Sequence, residues 1–138
     1  MNHAAPEFVL DSSALLAVLL NEPGCDAVRA VIDRTLIHAL NVAEVIGKLV
    51  REGVPSADAV ASVEELSLAI REDFSLRMAA DCGELIGKSR SIGLSLGDCV
   101  CLTTAAYADA VAITAERLWK KCEGRVVSGH LIRVELIR

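Results

Sequence analysis

Phe8-Val9-Leu10-Asp11-Ser12-Ser13-Ala14-Leu15-Leu16-Ala17-Val18-Leu19-Leu20 reads as a short apolar strand and a hydroxyl-rich junction, followed by a helix over residues 14–20. Ser12 and Ser13 are the expected caps of that helix, and Pro23-Gly24 ends it. A second helix carries Val28, Val31 and Ile32 on one face, and residues 36–40 return as a strand. The 24 residues between Leu10 and Thr35 are ample for the crossover of a dozen or more that a parallel pair needs. Asn41 is expected to cap the next helix, whose apolar face is Val42, Val45, Ile46, Leu49 and Val50 and which Gly53-Val54-Pro55 stops. Downstream, helices are expected over 56–70, 79–90, 97–108 and 115–122, and strands over 74–78, 110–114 and 131–137. This alternation predicts a doubly wound domain, a three-layer α/β/α sandwich with a central parallel sheet of four to five strands. Sites in such sheets form beyond the carboxyl ends of the strands, where strand order reverses.

Composition narrows the function before any motif is considered. A chain of 138 residues supports one domain with a core and needs no disulfide framework. Hydrophobic residues make up 53% but aromatics only 3%, so the core is aliphatic and rows of aromatic rings stacked on bases are excluded. The 19 acids outnumber the 14 basic residues, and a net charge of −5 argues against coating phosphate backbones by bulk electrostatics. The excess is uneven: residues 117–138 carry a net +4, which leaves −9 for the first 116. The longest early uncharged run, 12–21, holds ten residues against the roughly 20 needed to span a bilayer. With no secretory signal visible, a cytoplasmic location is expected. The five cysteines, an odd number without a C-x-x-C pair, read as reduced, buried small hydrophobes.

Four acids fall at predicted element junctions. Asp11 follows the first strand, Glu44 lies one turn into the helix after the second, Asp98 begins the buried helix, and Glu116 lies two residues beyond the strand 110–114. If those ends converge, four carboxylates share one crevice and need a cation to offset their repulsion. Oxygen ligands favour Mg²⁺ or Mn²⁺ over zinc, and His3, His38 and His130 form no ligand-spaced pair. Such an ion suits phosphodiester hydrolysis. Each acid also has a purely structural reading: Asp11 as a helix cap, Glu44 as a partner of Lys48, Asp98 in a capping box with Ser95, Glu116 at the positive end of a helix.

V-L-D-S-S-A at 9–14, N-V-A-E-V at 41–45, L-S-L-G-D-C at 94–99 and T-A-E-R-L-W at 114–119 resemble, in order, the four acidic motifs of PIN-domain ribonucleases. The short length and helix-rich middle are similar to the VapC-type toxins of bacterial toxin-antitoxin pairs. The resemblance covers 9–119 and implies a single PIN-like domain over 1–138. It further implies Mg²⁺- or Mn²⁺-dependent endonucleolytic cleavage of RNA by Asp11, Glu44, Asp98 and Glu116, with supporting hydroxyls from Ser13 and Thr114. A small antitoxin would enter the acidic crevice, and the toxin would form a homodimer or a heteromeric complex. The chain departs from the pattern at Glu116, where aspartate is usual.

Arg117, Lys120 and Lys121 follow Glu116 closely and would suit the phosphates flanking a scissile bond, or simply form a solvated helix face. Gly93-Leu94-Ser95-Leu96-Gly97 matches G-x-S-x-G, with Asp98 or Asp109 and then His130 in triad order, yet the polar stretch before Ser95 is no strand for a nucleophile elbow. A D-x-D-x-T phosphatase lacks its second acid, because Ser13 stands there, and no phosphate-cradling G-x-x-x-x-G-K-[ST] occurs. Cys99 and Cys101 follow Asp98, but burial is the expected fate of both. The helix 56–70, with Val60, Val63 and Leu66 on one face, is expected to dock a partner helix. The rival function is a non-catalytic module of the same fold that binds an antitoxin or dimerises.

Overall fold

The structure is a computed structural model and describes residues 5–138. The chain runs β1 (Phe8–Leu10), α1 (Ser12–Leu19), α2 (Cys25–Arg29), a 3₁₀ turn (Ile32–Arg34), β2 (Thr35–His38), α3 (Ala39–Arg51), α4 (Ser56–Glu65) and β3 (Ala69–Arg71). It continues through α5 (Leu76–Lys88), α6 (Leu96–Tyr107), β4 (Val111–Thr114), a 3₁₀ segment (Arg117–Cys122), β5 (Val126–Val127), β6 (His130–Leu131) and β7 (Val134–Leu136). Five strands form one parallel sheet in the order β3-β2-β1-β4-β7, and β5 and β6 form a separate antiparallel hairpin. Chain order reverses between β1 and β4, so the crevice beyond their carboxyl ends is the place where this architecture builds a site.

Side-chain alternation along the strands divides the core into two layers. Leu10, Ile37 and Ile113 face α1 to α4, where they meet Leu15, Val28, Val45, Leu49 and Val63. Val9, Ala112 and Val134 face the other way, onto Leu85, Leu102, Trp119 and Ile132. Covering both faces makes α6 nearly apolar all round, as expected for a helix enclosed on all sides. Among the described residues no helix is long and apolar enough to cross a membrane.

Several local expectations are corrected. The third strand is Ala69–Arg71, not 74–78, because the helix from Ser56 stops at Glu65 and Ser67 takes a left-handed conformation (φ 51°) that turns the chain into the sheet. Within 74–78, Ser75 instead caps α5, its hydroxyl accepting from the Met78 amide at 3.1 Å, and residues 76–78 begin the helix with Met78 buried. The last strand, expected over 131–137, is divided: His130–Leu131 pairs with Val126–Val127, and only Val134–Leu136 joins the main sheet. The helix expected over 115–122 is a 3₁₀ segment. His38 rather than Asn41 caps α3, its Nδ1 accepting from the Leu40 amide at 3.0 Å. Val63 of α4 and Leu66 just beyond its end pack into the chain's own core, leaving Val60 exposed, so the proposed partner-docking face is largely occupied from within.

One glycine position is dictated by crowding. Gly24 enters α2 with φ 94°, and a β-carbon there would come within 2.6 Å of the Ile137 carbonyl oxygen, so only glycine lets the turn after α1 meet the C-terminal segment.

Candidate active site

Asp11 leaves β1 at the strand reversal and is 4% exposed. It caps α1: Oδ1 accepts from the Ala14 amide at 2.8 Å, in place of the Ser12 and Ser13 caps expected from sequence. Those serines begin the helix instead, and the Ser13 hydroxyl lies 2.8 and 2.9 Å from the two Asp11 oxygens. From the neighbouring strand, the Thr114 hydroxyl donates to Oδ2 at 2.6 Å. These donors favour the ionised carboxylate, yet burial outweighs them and pushes the pKa up to about 6, with the charge of Asp98 adding to the rise.

Glu44, although exposed, is held at its tip. Its Oε1 accepts from the Ser12 hydroxyl at 2.6 Å and from Asn41 Nδ2 at 2.9 Å, while the pairing with Lys48 expected from sequence does not form. Asn41 Nδ2 also donates to the Gly97 carbonyl at 3.0 Å and so ties α3 to the first turn of α6. The Glu44 carboxylate lies against Gly97 in the space a β-carbon would fill. Asp98, the next residue, forms a capping box with Ser95: its amide donates to the serine hydroxyl at 3.1 Å, and its Oδ2 accepts from the serine amide at 2.9 Å. Burial, and more weakly the charge of Glu44, raise the Asp98 pKa above the ordinary carboxylate value. Asp11, Asp98 and Glu44 thus form a chain of mutually repelling carboxylates from β1 to α6 to α3.

Glu116 is exposed, and its backbone amide donates to Thr114 Oγ1 at 2.9 Å. The same strand end carries the Ala115 amide, which donates to Ser13 Oγ at 2.9 Å, so the hydroxyl pair fastens β4 to α1. Of the three cations that follow, Arg117 and Lys121 are exposed, whereas Lys120 Nζ is engaged by the Val134 carbonyl at 2.6 Å and by Glu123 at 3.1 Å. Ser95 sits after a turn rather than a strand and its hydroxyl is a helix cap, so the nucleophile-elbow geometry is absent. All five cysteines are free and buried; burial drives the Cys99 pKa to about 12 and pushes that of Cys101 well above the ordinary thiol value, which keeps both as thiols. His38 is buried and His130 lies at the hairpin, while His3 falls outside the described residues. Ser12 and Asn41, expected from sequence only as helix caps, and Gly97, noted only within the G-x-S-x-G match and the third acidic motif, enter the site as partners of Glu44. Asn41 and Glu44 lie at i and i+3 on one helix, a spacing at which side chains meet and which could have flagged the pair.

Among the described residues no three His, Cys, Asp or Glu side chains gather closely enough to hold a metal ion. The donor chemistry nonetheless suits a hard cation: the neighbouring acids offer oxygen alone, and two have raised pKa values that a positive charge would lower. Asn41, 1% exposed, also keeps its Oδ1 without a hydrogen-bond partner beside Glu44.

Solved structures share this fold. PAE2754 from Pyrobaculum aerophilum aligns at 23% identity over 96% of this chain and 85% of that one, with a TM-score of 0.60. DNA-bound VapBC from Salmonella typhimurium aligns at 18% identity over 96% and 99%, with a TM-score of 0.71. VapBC-5 from Mycobacterium tuberculosis, of the VapBC family of toxin-antitoxin systems, aligns at 20% identity over 98% and 99%, with a TM-score of 0.62. No curated protein matches the chain. The PIN domain family model matches residues 8–124, from β1 through all four acids to just past the 3₁₀ segment. With the parallel sheet reversing at Asp11 and that match covering most of the sequence, the chain belongs to the PIN domain family.

Proposed function

We propose that this protein is a metal-dependent endoribonuclease and the toxin of a toxin-antitoxin pair, acting in the cytoplasm and held in check by a small cognate antitoxin. The observation that carries the reading is the buried Asp11 carboxylate at the strand reversal, bonded by Ser13 and Thr114 and electrostatically coupled to Asp98. Family membership supports nuclease chemistry, and the VapBC descriptions of several structural neighbours support the antitoxin partner.

In this reading Asp11, Glu44, Asp98 and Glu116 would hold Mg²⁺ or Mn²⁺. A bound divalent ion supplies charge neutralisation and polarisation of the scissile phosphoryl group. The protein's part is preorganisation. Ser13 and Thr114 hold both Asp11 oxygens by donating to the ionised form, and Asn41 and Ser12 hold Glu44 against Gly97. Arg117 and Lys121, exposed beyond Glu116, are free to meet flanking phosphates; Lys120 would have to exchange its bonds to Glu123 and Val134 to join them.

A second reading, a non-catalytic module that binds an antitoxin or dimerises, is favoured by one observation: no three acids among the described residues are gathered at metal-binding distance. One assay separates the two. RNA ends are mapped after incubation with the chain and Mn²⁺, with and without chelator, for the natural sequence and for Asp11→Asn and Asp98→Asn. Chelator-sensitive cleavage lost in both variants supports the nuclease; no cleavage, or cleavage that survives both substitutions, overturns it.

A further inference from the structure

A cavity of about 310 Å³ is lined by Arg71, Arg77, Tyr107, Ser128 and His130, and by none of the four acids above. All five residues carry a hydrogen-bond donor or can, and none carries a carboxylate. The guanidinium groups of Arg71 and Arg77 lie 5.3 and 5.9 Å from the centre of the Tyr107 ring, so two like charges share one aromatic support. Acids steady this lining without joining it. Asp73 accepts from Arg71 Nη2 at 3.0 Å, Asp81 accepts from the Tyr107 hydroxyl, and Asp109 lies 3.6 Å from His130 Nδ1. Arg77 Nη2 donates to the Ser128 hydroxyl at 3.0 Å, and Arg71 Nε is buried with no partner. Two guanidinium groups lining one cavity, one of them with an unused N–H, supply the kind of donors that a phosphate group takes.

The position of the cavity relative to the acids follows from the topology. Arg71 ends β3 in register with His38 of β2, and β2 pairs with β1, so its backbone stands two strand spacings, about 10 Å, from the β1 end that carries Asp11. Along α6, Tyr107 stands nine positions after Asp98, about 14 Å of helix. A few nucleotides of a single strand cover such a distance.

We infer that the cavity between β3, α5, α6 and the β5–β6 hairpin is a phosphate site that holds the RNA backbone a few nucleotides away from the acidic crevice. The assignment of the phosphate to RNA rests on the ribonuclease reading; the phosphate site itself does not.

Two measurements on the full chain test it. The first is binding of a single-stranded RNA octanucleotide across a salt series with chelator present, so that no cleavage intervenes. Arg77→Gln, and separately Arg71→Gln with Arg77→Gln, are expected to weaken binding roughly tenfold at low salt and to reduce the log–log salt slope by about 0.7 for each phosphate no longer neutralised. The second is titration with inorganic phosphate, followed through the His130 imidazole resonances, with a saturable shift expected in the natural chain and its loss in Arg77→Gln. Absence of a His130 response to phosphate overturns the site, even if the chain cleaves RNA. A phosphate response with an unchanged RNA salt slope overturns the RNA assignment. A phosphate response in a chain that cleaves no RNA supports the site and counts against the ribonuclease reading alone.

Discussion

Thr114, the last residue of β4, donates its hydroxyl to Asp11 Oδ2 at 2.6 Å across the seam where strand order reverses, while its Oγ1 accepts from the Glu116 amide at 2.9 Å. One buried hydroxyl thereby favours the ionised form of the first acid against its burial and sets the backbone position of the fourth. Of the interactions that lower the Asp11 pKa against its burial, the Thr114 bond is the largest.

Thr114→Val removes that donor and leaves the Glu116 amide without its acceptor. A hydrogen bond to a charged group contributes about 1.5–3 kcal/mol, equivalent to about one to two pKa units. The acid limb of the Mn²⁺-dependent rate is expected to move up by about one unit in Thr114→Val, while Thr114→Ser stays near the natural profile. Superimposable profiles for all three chains would contradict this role of Thr114.

The Asp11 carboxyl also leaves a mark on stability. Its folded pKa of about 6 exceeds the ordinary value of 3.8, so between those pH values the folded chain binds a proton more tightly than the unfolded one. The resulting stabilisation is fully present below 3.8 and is lost as pH rises through about 6, an effect of at most about 3 kcal/mol. Asp11→Asn keeps an oxygen for the Ala14 amide and cannot ionise. Its melting temperature in metal-free buffer is expected to exceed that of the natural chain by several degrees at pH 7.5, with the gain vanishing near pH 4. A lower melting temperature at pH 7.5 would show that the charged bonds from Ser13 and Thr114 outweigh burial.

Gly97 gives a separate handle on Glu44. A methyl group at this position occupies the space of the Glu44 carboxylate, which is the end of a flexible side chain and can swing away. Gly97→Ala is therefore expected to cost little stability, because alanine suits a helix better than glycine, and to lower the rate by tenfold or more if Glu44 acts from its present position. Equal rates for Gly97→Ala and the natural chain, with Glu44→Gln impaired, would place the working position of Glu44 elsewhere.

The parts of this arrangement legible in the sequence are those encoded locally. Asp11 and Glu116 each sit where a strand-length apolar run gives way to a helical turn, and Asp98 lies in the first turn of the buried helix, so the local pattern alone points to all three as junction acids. Long-range contacts leave no such trace. Ser12 meets Glu44 across 32 residues and Asn41 meets Gly97 across 56, and in each case both partners look ordinary in their own segment. β3 leaves no sequence signal because three residues at a sheet edge are too few for alternation to register, and its order comes from pairing with β2. The capping roles of Asp11 and Asp98 are legible too, and they coexist with a site: a cap fixes a carboxylate at the mouth of the crevice.

A divalent metal ion and a proton compete for the Asp11 carboxylate. A divalent ion that binds the folded chain alone raises stability by about 2.7 kcal/mol at one hundred times its dissociation constant. Ligating carboxylates must be ionised, so the thermal shift produced by Mn²⁺ should be full above pH 7 and shrink as pH falls through about 6, where Asp11 takes up its proton. Asp11→Asn should show a much smaller shift at every pH, which separates loss of the ion from loss of chemistry. Calorimetric scans with and without Mn²⁺ at pH 5.0, 6.0 and 7.5 decide the matter. A shift independent of pH, or one retained by Asp11→Asn, would mean that the ion is held by groups other than the buried carboxylate at the strand reversal.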